Sequence, residues 1–259
     1  MKLRNTGVGC PGFGVWAVLL TIPLMFLSVS HVQAEMYIGG QVGLPFFGNN
    51  NKLTRVDLMD IGFPAGSTLS PPGSMSGLDL TSSPMFGAKM GYYFQAIPWF
   101  GLEIEAYYTT PHIEQQPSRV TIAPGTVVNG PNPGSFPSGV DDTSLAPGQH
   151  FRVITVAPLN LMFRYHKTRL QPYIGVGPGI FLAHINTAQS GIEGSQSSTR
   201  VGLNAKLGAE YFFTRNITGY GEVRYNYTTL DFEGTDSGVF GIRAIYNPIT
   251  FSVGIGYHF

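Results

Sequence analysis

Glu103 and Glu105 stand two residues apart in WFGLEIEAYY (99–108), and Glu222 and Arg224 stand two apart in YGEVRYNY (220–227). Carboxylates at close spacing are the raw material of general acid–base chemistry. On an alternating strand, however, residues i and i+2 share one face. There, with Lys89, Lys206 and Glu210, they would pair with one another, because buried charges need partners. Arg152, Arg164 and Arg200 fall on the same side of their own stretches and complete the set. The expected role of these ten residues is a structural polar network, with no catalytic residue among them.

Other chemistry is poorly represented. Cys10 is the single cysteine, which excludes disulfides and thiolate metal sites from the rest of the chain. His112, His150, His166, His184 and His258 have no paired ligand spacing. Neither Asp141-Asp142 nor the Asp231, Glu233, Asp236 group has the spacing of a calcium loop. No glycine pattern leads from a strand into a helix, so no phosphate cradle is expected. No metal or cofactor is assigned.

Eight alternating stretches carry the charged set: about 35–44, 85–94, 99–108, 150–164, 171–184, 199–212, 217–227, and 249 onward with an extension over 240–246. Period-two alternation predicts antiparallel strands. In the third stretch Phe100, Leu102, Ile104, Ala106 and Tyr108 oppose Gly101, Glu103, Glu105 and Tyr107. In the fourth, Phe151, Val153, Thr155, Ala157, Leu159, Leu161 and Phe163 are expected to look outward, with Arg152, Asn160 and Arg164 on the other side. Pro158, Pro172 and Pro178 each remove a ladder donor and are expected at strand ends or bulges.

Connections alternate in length. Short turns fall around 96–98, 166–169 and 214–216, whereas Pro-, Gly- and Ser-rich loops fill about 45–84 and 109–149. Short turns at one end and long loops at the other are the layout of an outer-membrane barrel, with periplasmic turns and extracellular loops. Glycines crowd the charged face, among them Gly87, Gly91, Gly101, Gly175, Gly177, Gly179, Gly202 and Gly208. On a solvent face they would only weaken strands; inside a narrow barrel they leave room for long side chains. Aromatics cluster where strands should leave the hydrocarbon, as at Tyr92-Tyr93-Phe94, Trp99-Phe100, Tyr211-Phe212-Phe213, Tyr107-Tyr108 and Tyr225 with Tyr227. The fold class expected is therefore all-β, a closed eight-stranded antiparallel transmembrane barrel with a lumen narrow enough for side chains to fill.

Residues 1–34 read as a cleaved signal peptide: Lys2 and Arg4, an apolar run from about Val15 to Val29, then Val32-Gln33-Ala34. The run is too short to span a bilayer and contains Pro23. The mature chain, 35–259, is expected in the Gram-negative outer membrane. Lys plus Arg and Asp plus Glu number 15 each, so no basic bias points to nucleic acid, and charged residues make up only 12%.

LQPYIGVGPGIFLA (170–183), AKLGAEYFFTRNITGYGEVRYNYTTLDF (205–232) and the terminal Gly256-Tyr257-His258-Phe259 resemble the OmpA-like eight-stranded outer-membrane barrels. The resemblance implies that Tyr257 and Phe259 form the signal read by the barrel-assembly machinery. It also implies a transmembrane barrel without the peptidoglycan-binding domain found in part of that family. Outer-membrane lipid is the expected surrounding, and the long loops are the expected site for an extracellular ligand. Function is expected to be structural or surface-interacting, with the lumen plugged. One alternative is a narrow channel or hydrophobic-solute transporter of OmpW type. Another is a lipid A-modifying barrel enzyme, which requires a His and Ser in contact near the outer rim; His184 and Ser190 are the nearest approach in sequence.

Overall fold

The computed structural model describes residues 35–45, 52–60, 66–76, 78–113, 115–146, 149–189, 192–234 and 241–259. The expected signal peptide, 1–34, lies outside them. In chain order the strands are β1 (Glu35–Pro45), β2 (Lys52–Asp60), β3 (Thr68–Met75), β4 (Leu78–Asp79), β5 (Met85–Tyr93) and β6 (Phe100–Thr109). Then come β7 (His112–Ile113), β8 (Gln116–Ile122), β9 (Thr126–Asn129), β10 (Gly134–Phe136), β11 (Val140–Ala146) and β12 (Gln149–Arg164). The last are β13 (Leu170–Gln189), β14 (Ile192–Phe212), β15 (Ile217–Phe232), β16 (Ile242–Tyr246) and β17 (Ile249–His258).

Eight of these close a ring: β1 pairs β5, then β6, β12, β13, β14, β15 and β17 follow, and β17 returns to β1. Every pairing is antiparallel, and the closing register sets Tyr37 opposite His258 and Val42 opposite Val253. Closure leaves no sheet edge to be satisfied by lipid. The connections 94–99, 165–169 and 213–216 all lie at one end of the ring, here the turn end. In the last of them Thr214 Oγ1 accepts from the Ile217 amide at 2.9 Å, while Asn216 Nδ2 donates to the His258 carbonyl at 2.7 Å.

Outward positions carry the apolar set: Ile38, Val42, Phe86, Ile174, Leu207, Val223, Val253 and Ile255 are all exposed on the barrel wall. Along β13 they run from Leu170 through Ile174 and Val176 to Leu182. At ~3.3 Å per residue and a tilt of roughly 40°, that stretch climbs about 30 Å, the thickness of a hydrocarbon core. Aromatic rings gather at the turn end, where Trp99 stacks on Phe163 at 6.0 Å and Tyr257 meets Phe259 at 5.1 Å.

Two expectations are corrected. The segments 45–84 and 109–149 contain strands, not only loops: β2 pairs β3 and β16, and β3 pairs β8 and β9. These extend the wall beyond the loop end and bury Leu53, Val56, Leu58, Leu69, Ile113, Ile122 and Val128 against Phe151, Phe181, Leu230 and Phe232. Secondly, β12 contains a bulge, because its registers with β13 and β6 both shift between Val156 and Leu161. One extra residue reverses the pleat. Leu159, Leu161 and Phe163 do face outward, but Phe151, Val153, Thr155 and Ala157 are buried and Arg152 is exposed.

Candidate functional site

Inward positions of β5, β6, β14 and β15 converge halfway down the barrel. Lys206 Nζ donates to Glu103 Oε1, to Glu105 Oε2 at 3.2 Å, and lies 3.5 Å from Glu222 Oε1. Arg224 Nη2 donates to Glu105 Oε1 and to Glu222 Oε2 at 3.0 Å. Lys89 Nζ donates to Glu222 Oε1 and sits 3.5 Å above the Tyr220 ring. Three carboxylates thus meet three cations, all buried.

Neutral donors add to the carboxylate contacts. Tyr37 donates to Glu103 at 2.7 Å, Tyr173 to Glu222 at 2.6 Å, and Gln41 Nε2 to Glu105 at 2.6 Å. Asn160 Nδ2 reaches Glu103 at 3.3 Å. Pairing of this kind is the condition under which ionised groups persist away from water, although Arg224 Nε and Gln41 Oε1 are buried with no hydrogen-bond partner. Glycine makes the space: a Cβ on Gly175 would stand 3.1 Å from Lys206 Cε and 2.6 Å from Met162 Sδ.

Arg164 and Glu210 belong to a second group at the turn end. Arg164 Nη1 donates to Glu35 Oε1 at 2.9 Å, and its guanidinium lies 3.6 Å from the centre of the Tyr93 ring. His258 bridges Glu35 Oε1 at 2.7 Å and Glu210 Oε1 at 2.9 Å. Arg152 and Arg200 are in neither group, and their expected place in the network is corrected here. The β12 bulge turns Arg152 outward. Arg200 reaches Asp231, a residue that Arg243 Nε also binds at 2.6 Å. The β14–β15 pairing ends at Leu203 and Tyr227, so Arg200 lies on the splayed stretch above it.

Toward the loop end the interior changes character. Phe151, Phe181, Phe232 and Tyr246 meet edge-to-face at 6.0–6.3 Å. A cavity of about 20 Å³, bordered by Met85, Tyr107, Asn226 and Tyr246, separates this apolar layer from the charged one. Above the pairing limit of β14 and β15 an open polar cleft of about 470 Å³ is lined by Ser195–Arg200 and Asp231. The gap is laced by side chains, with Ser198 Oγ accepting from the Asp231 amide at 3.1 Å.

Ser190 lies outside the described residues, and the serine beside His184 is Ser197. His184 Nδ1 lies 2.9 Å from Ser197 Oγ and its Nε2 2.7 Å from Asn186 Oδ1, on the outer face. His112 and His150 stack edge-on at 4.6 Å, also on the outer face. Among the described residues no three His, Cys, Asp or Glu side chains gather as a metal cage. Tyr257 and Phe259 are exposed at the turn end, and the Phe259 amide donates to the Met36 carbonyl at 2.9 Å.

Asn160, expected on the inner side of its strand, takes its place as a neutral partner; the residues not assigned to the network from sequence are Tyr37, Gln41, Tyr173 and Tyr220, together with Glu35 and His258. All share the inward parity of the charges beside them, which is the signal that could have found them.

A family model described as the outer membrane protein beta-barrel domain matches residues 17–259. Among solved structures, OprG of Pseudomonas aeruginosa is 15% identical with a TM-score of 0.49, covering 89% of this chain and 98% of its own. Neisserial surface protein A is 12% identical with a TM-score of 0.44, covering 86% and 97%. Ail, the attachment invasion locus protein of Yersinia pestis, is 14% identical with a TM-score of 0.39, covering 88% and 100%. No curated protein matches the sequence.

Proposed function

Since this chain belongs to the outer membrane protein beta-barrel domain family and lies in the Gram-negative outer membrane, we propose that it is a non-conducting barrel with a structural or surface-interaction role. One observation carries the reading: Lys89, Lys206, Arg224, Glu103, Glu105 and Glu222 pair with one another, all buried, on the inward face of the barrel. An eight-stranded barrel is just wide enough for side chains to fill it. The apolar layer above supports the same reading, because Phe151, Phe181, Phe232 and Tyr246 meet there edge-to-face.

In this reading residues 1–34 are a cleaved signal, no cofactor is used, and Tyr257 and Phe259 are presented to the barrel-assembly machinery during insertion. Any extracellular ligand meets the β2–β4 and β7–β11 extension, where a rigid wall displays variable segments. Planar-bilayer recording tests the proposal. The wild-type chain is expected to give no steady unitary conductance, and a reproducible one would overturn the plugged-lumen reading.

A second reading, a lipid-modifying enzyme, draws on His184. If Nε2–H donates to Asn186 Oδ1, the Nδ1 lone pair faces the Ser197 hydroxyl, which is the tautomer a general base requires. Asn in place of a carboxylate, and an exposed setting, favour the non-enzymatic reading. A fluorophosphonate probe separates the two, because labelling of Ser197 that is lost in His184→Ala would establish the enzyme.

A further inference from the structure

The bulge in β12 has an outer-surface consequence. With the pleat reversed, Arg152 pairs opposite His184, and His184 opposite Ser197. One pleat higher, His150 stands opposite both His112 and Asn186. Arg152, His112, His150 and Asn186 are exposed and His184 is half-buried, so all five present to the outside of the wall.

Their height is fixed by the row beneath. Tyr108, Ile154 and Leu182 pair side by side across β6, β12 and β13 and are all exposed. They form the top of the apolar band on that side, so the Arg152 row begins where hydrocarbon ends. The band's loop end is the extracellular end, which sets the row among the headgroups of the outer leaflet. Arg152 makes no ion pair with a carboxylate among the described residues, whereas Arg200 and Arg243 beyond it share Asp231.

We propose that Arg152, with His150 and His112, forms a binding site for the phosphate of an outer-leaflet phosphoglycolipid. A guanidinium presents a planar fork matched to phosphate oxygens. Residues 150 and 152 lie two apart on one strand face, close enough to serve one phosphate. His184 is held by Ser197 and Asn186, and closes the side of the site toward β14. Acyl chains of the same lipid would lie against Ile154 and Leu182 directly below. The inference rests on the outer-membrane reading of the chain, but not on the lumen being plugged.

The test uses the purified full chain in neutral detergent, with lipid A as probe and native mass spectrometry as readout. Wild type is expected to retain lipid A about tenfold more tightly than Arg152→Gln, the loss of one charge-assisted contact. Dephosphorylated lipid A is expected to bind like the variant, and millimolar inorganic phosphate not to compete. Lys167→Ala, at the opposite end of the barrel, is expected to bind as wild type, and an unchanged heat-induced gel shift verifies folding of each variant. Equal retention by wild type and Arg152→Gln, or of phosphorylated and dephosphorylated lipid, would overturn the proposal. Competition by free phosphate would also overturn it, by assigning the site to a soluble anion. Loss of conduction block in any variant would bear on the lumen and leave this result independent.

Discussion

Arg152 and Asn160 lie on the same strand at even spacing, yet point to opposite sides of the barrel wall: Arg152 is exposed, while Asn160 is buried against Glu103. The bulge between Val156 and Leu161 is the cause. It places one arginine among lipid headgroups while Arg164, below the bulge, stays inside.

Arg152 and Arg224 should therefore respond oppositely to removal of charge. Arg152→Leu is expected to change unfolding stability by no more than about 0.5 kcal/mol, as for an exposed position. Arg224→Leu leaves the buried Glu105 and Glu222 short of a cation and should cost about 3–5 kcal/mol. Urea titration of the refolded barrel in lipid vesicles measures both; similar values would show that Arg152 faces the lumen after all.

Lys206 touches Glu103 and Glu105. Lys206→Met alone is expected to be among the most destabilising single changes, at about 3–5 kcal/mol, through the uncompensated carboxylates. Adding Glu103→Gln should recover part of that loss, because neighbours in one network are not additive. A double-mutant cycle that closes to additivity would dissolve the network into independent contacts.

Phe259 presents an exposed ring, and its backbone amide supplies the bond to Met36. Phe259→Ala is expected to lower the amount of barrel reaching the outer membrane several-fold in cells. Stability of the refolded protein should change by less than about 0.5 kcal/mol. Unchanged membrane levels would remove Phe259 from the assembly signal.

At the extracellular end, Arg119 Nε donates to Asp141 Oδ1 at 2.6 Å across β8 and β11. The hydrogen bond from Arg119 holds the Asp141 carboxyl below its ordinary value. A folded-state pKa that is depressed stabilises above the unfolded pKa and ceases to do so as pH falls through the folded one. Amide exchange in β8 and β11 should accelerate once the medium is acid enough to protonate Asp141, and less so at high salt, since both groups are exposed. Asp141→Asn should remove that acid-dependent step; its persistence would assign it elsewhere.

Glu103, Glu105, Glu222 and Arg224 could be placed from sequence because their strands alternate without interruption. Arg152 could not: Phe151-Val153 and Leu159-Leu161 are apolar on both sides of the bulge, so the change of phase leaves no mark on the hydrophobic pattern. Arg200 keeps the right parity, but β14 has left β15 at that height and the side chain crosses the gap. The extracellular strands were hidden by composition, since prolines and glycines surround the short apolar alternations at Leu53, Val56 and Leu58. His184 and Ser197 meet only because the β13–β14 hairpin continues to Gln189 and Ile192, a length that single-strand periodicity does not reveal.

The charged layer has one more consequence, for the order of folding. Lys206 finds Glu103 across 103 residues of chain, and Lys89 finds Glu222 across 133. No contiguous half of the barrel can satisfy its own charges, so an incompletely zipped sheet would carry naked ions into the bilayer. Contacts of such long sequence separation form late and slowly. Insertion is thereby expected to be all-or-none, with docking of the last strand both closing the barrel and completing its interior.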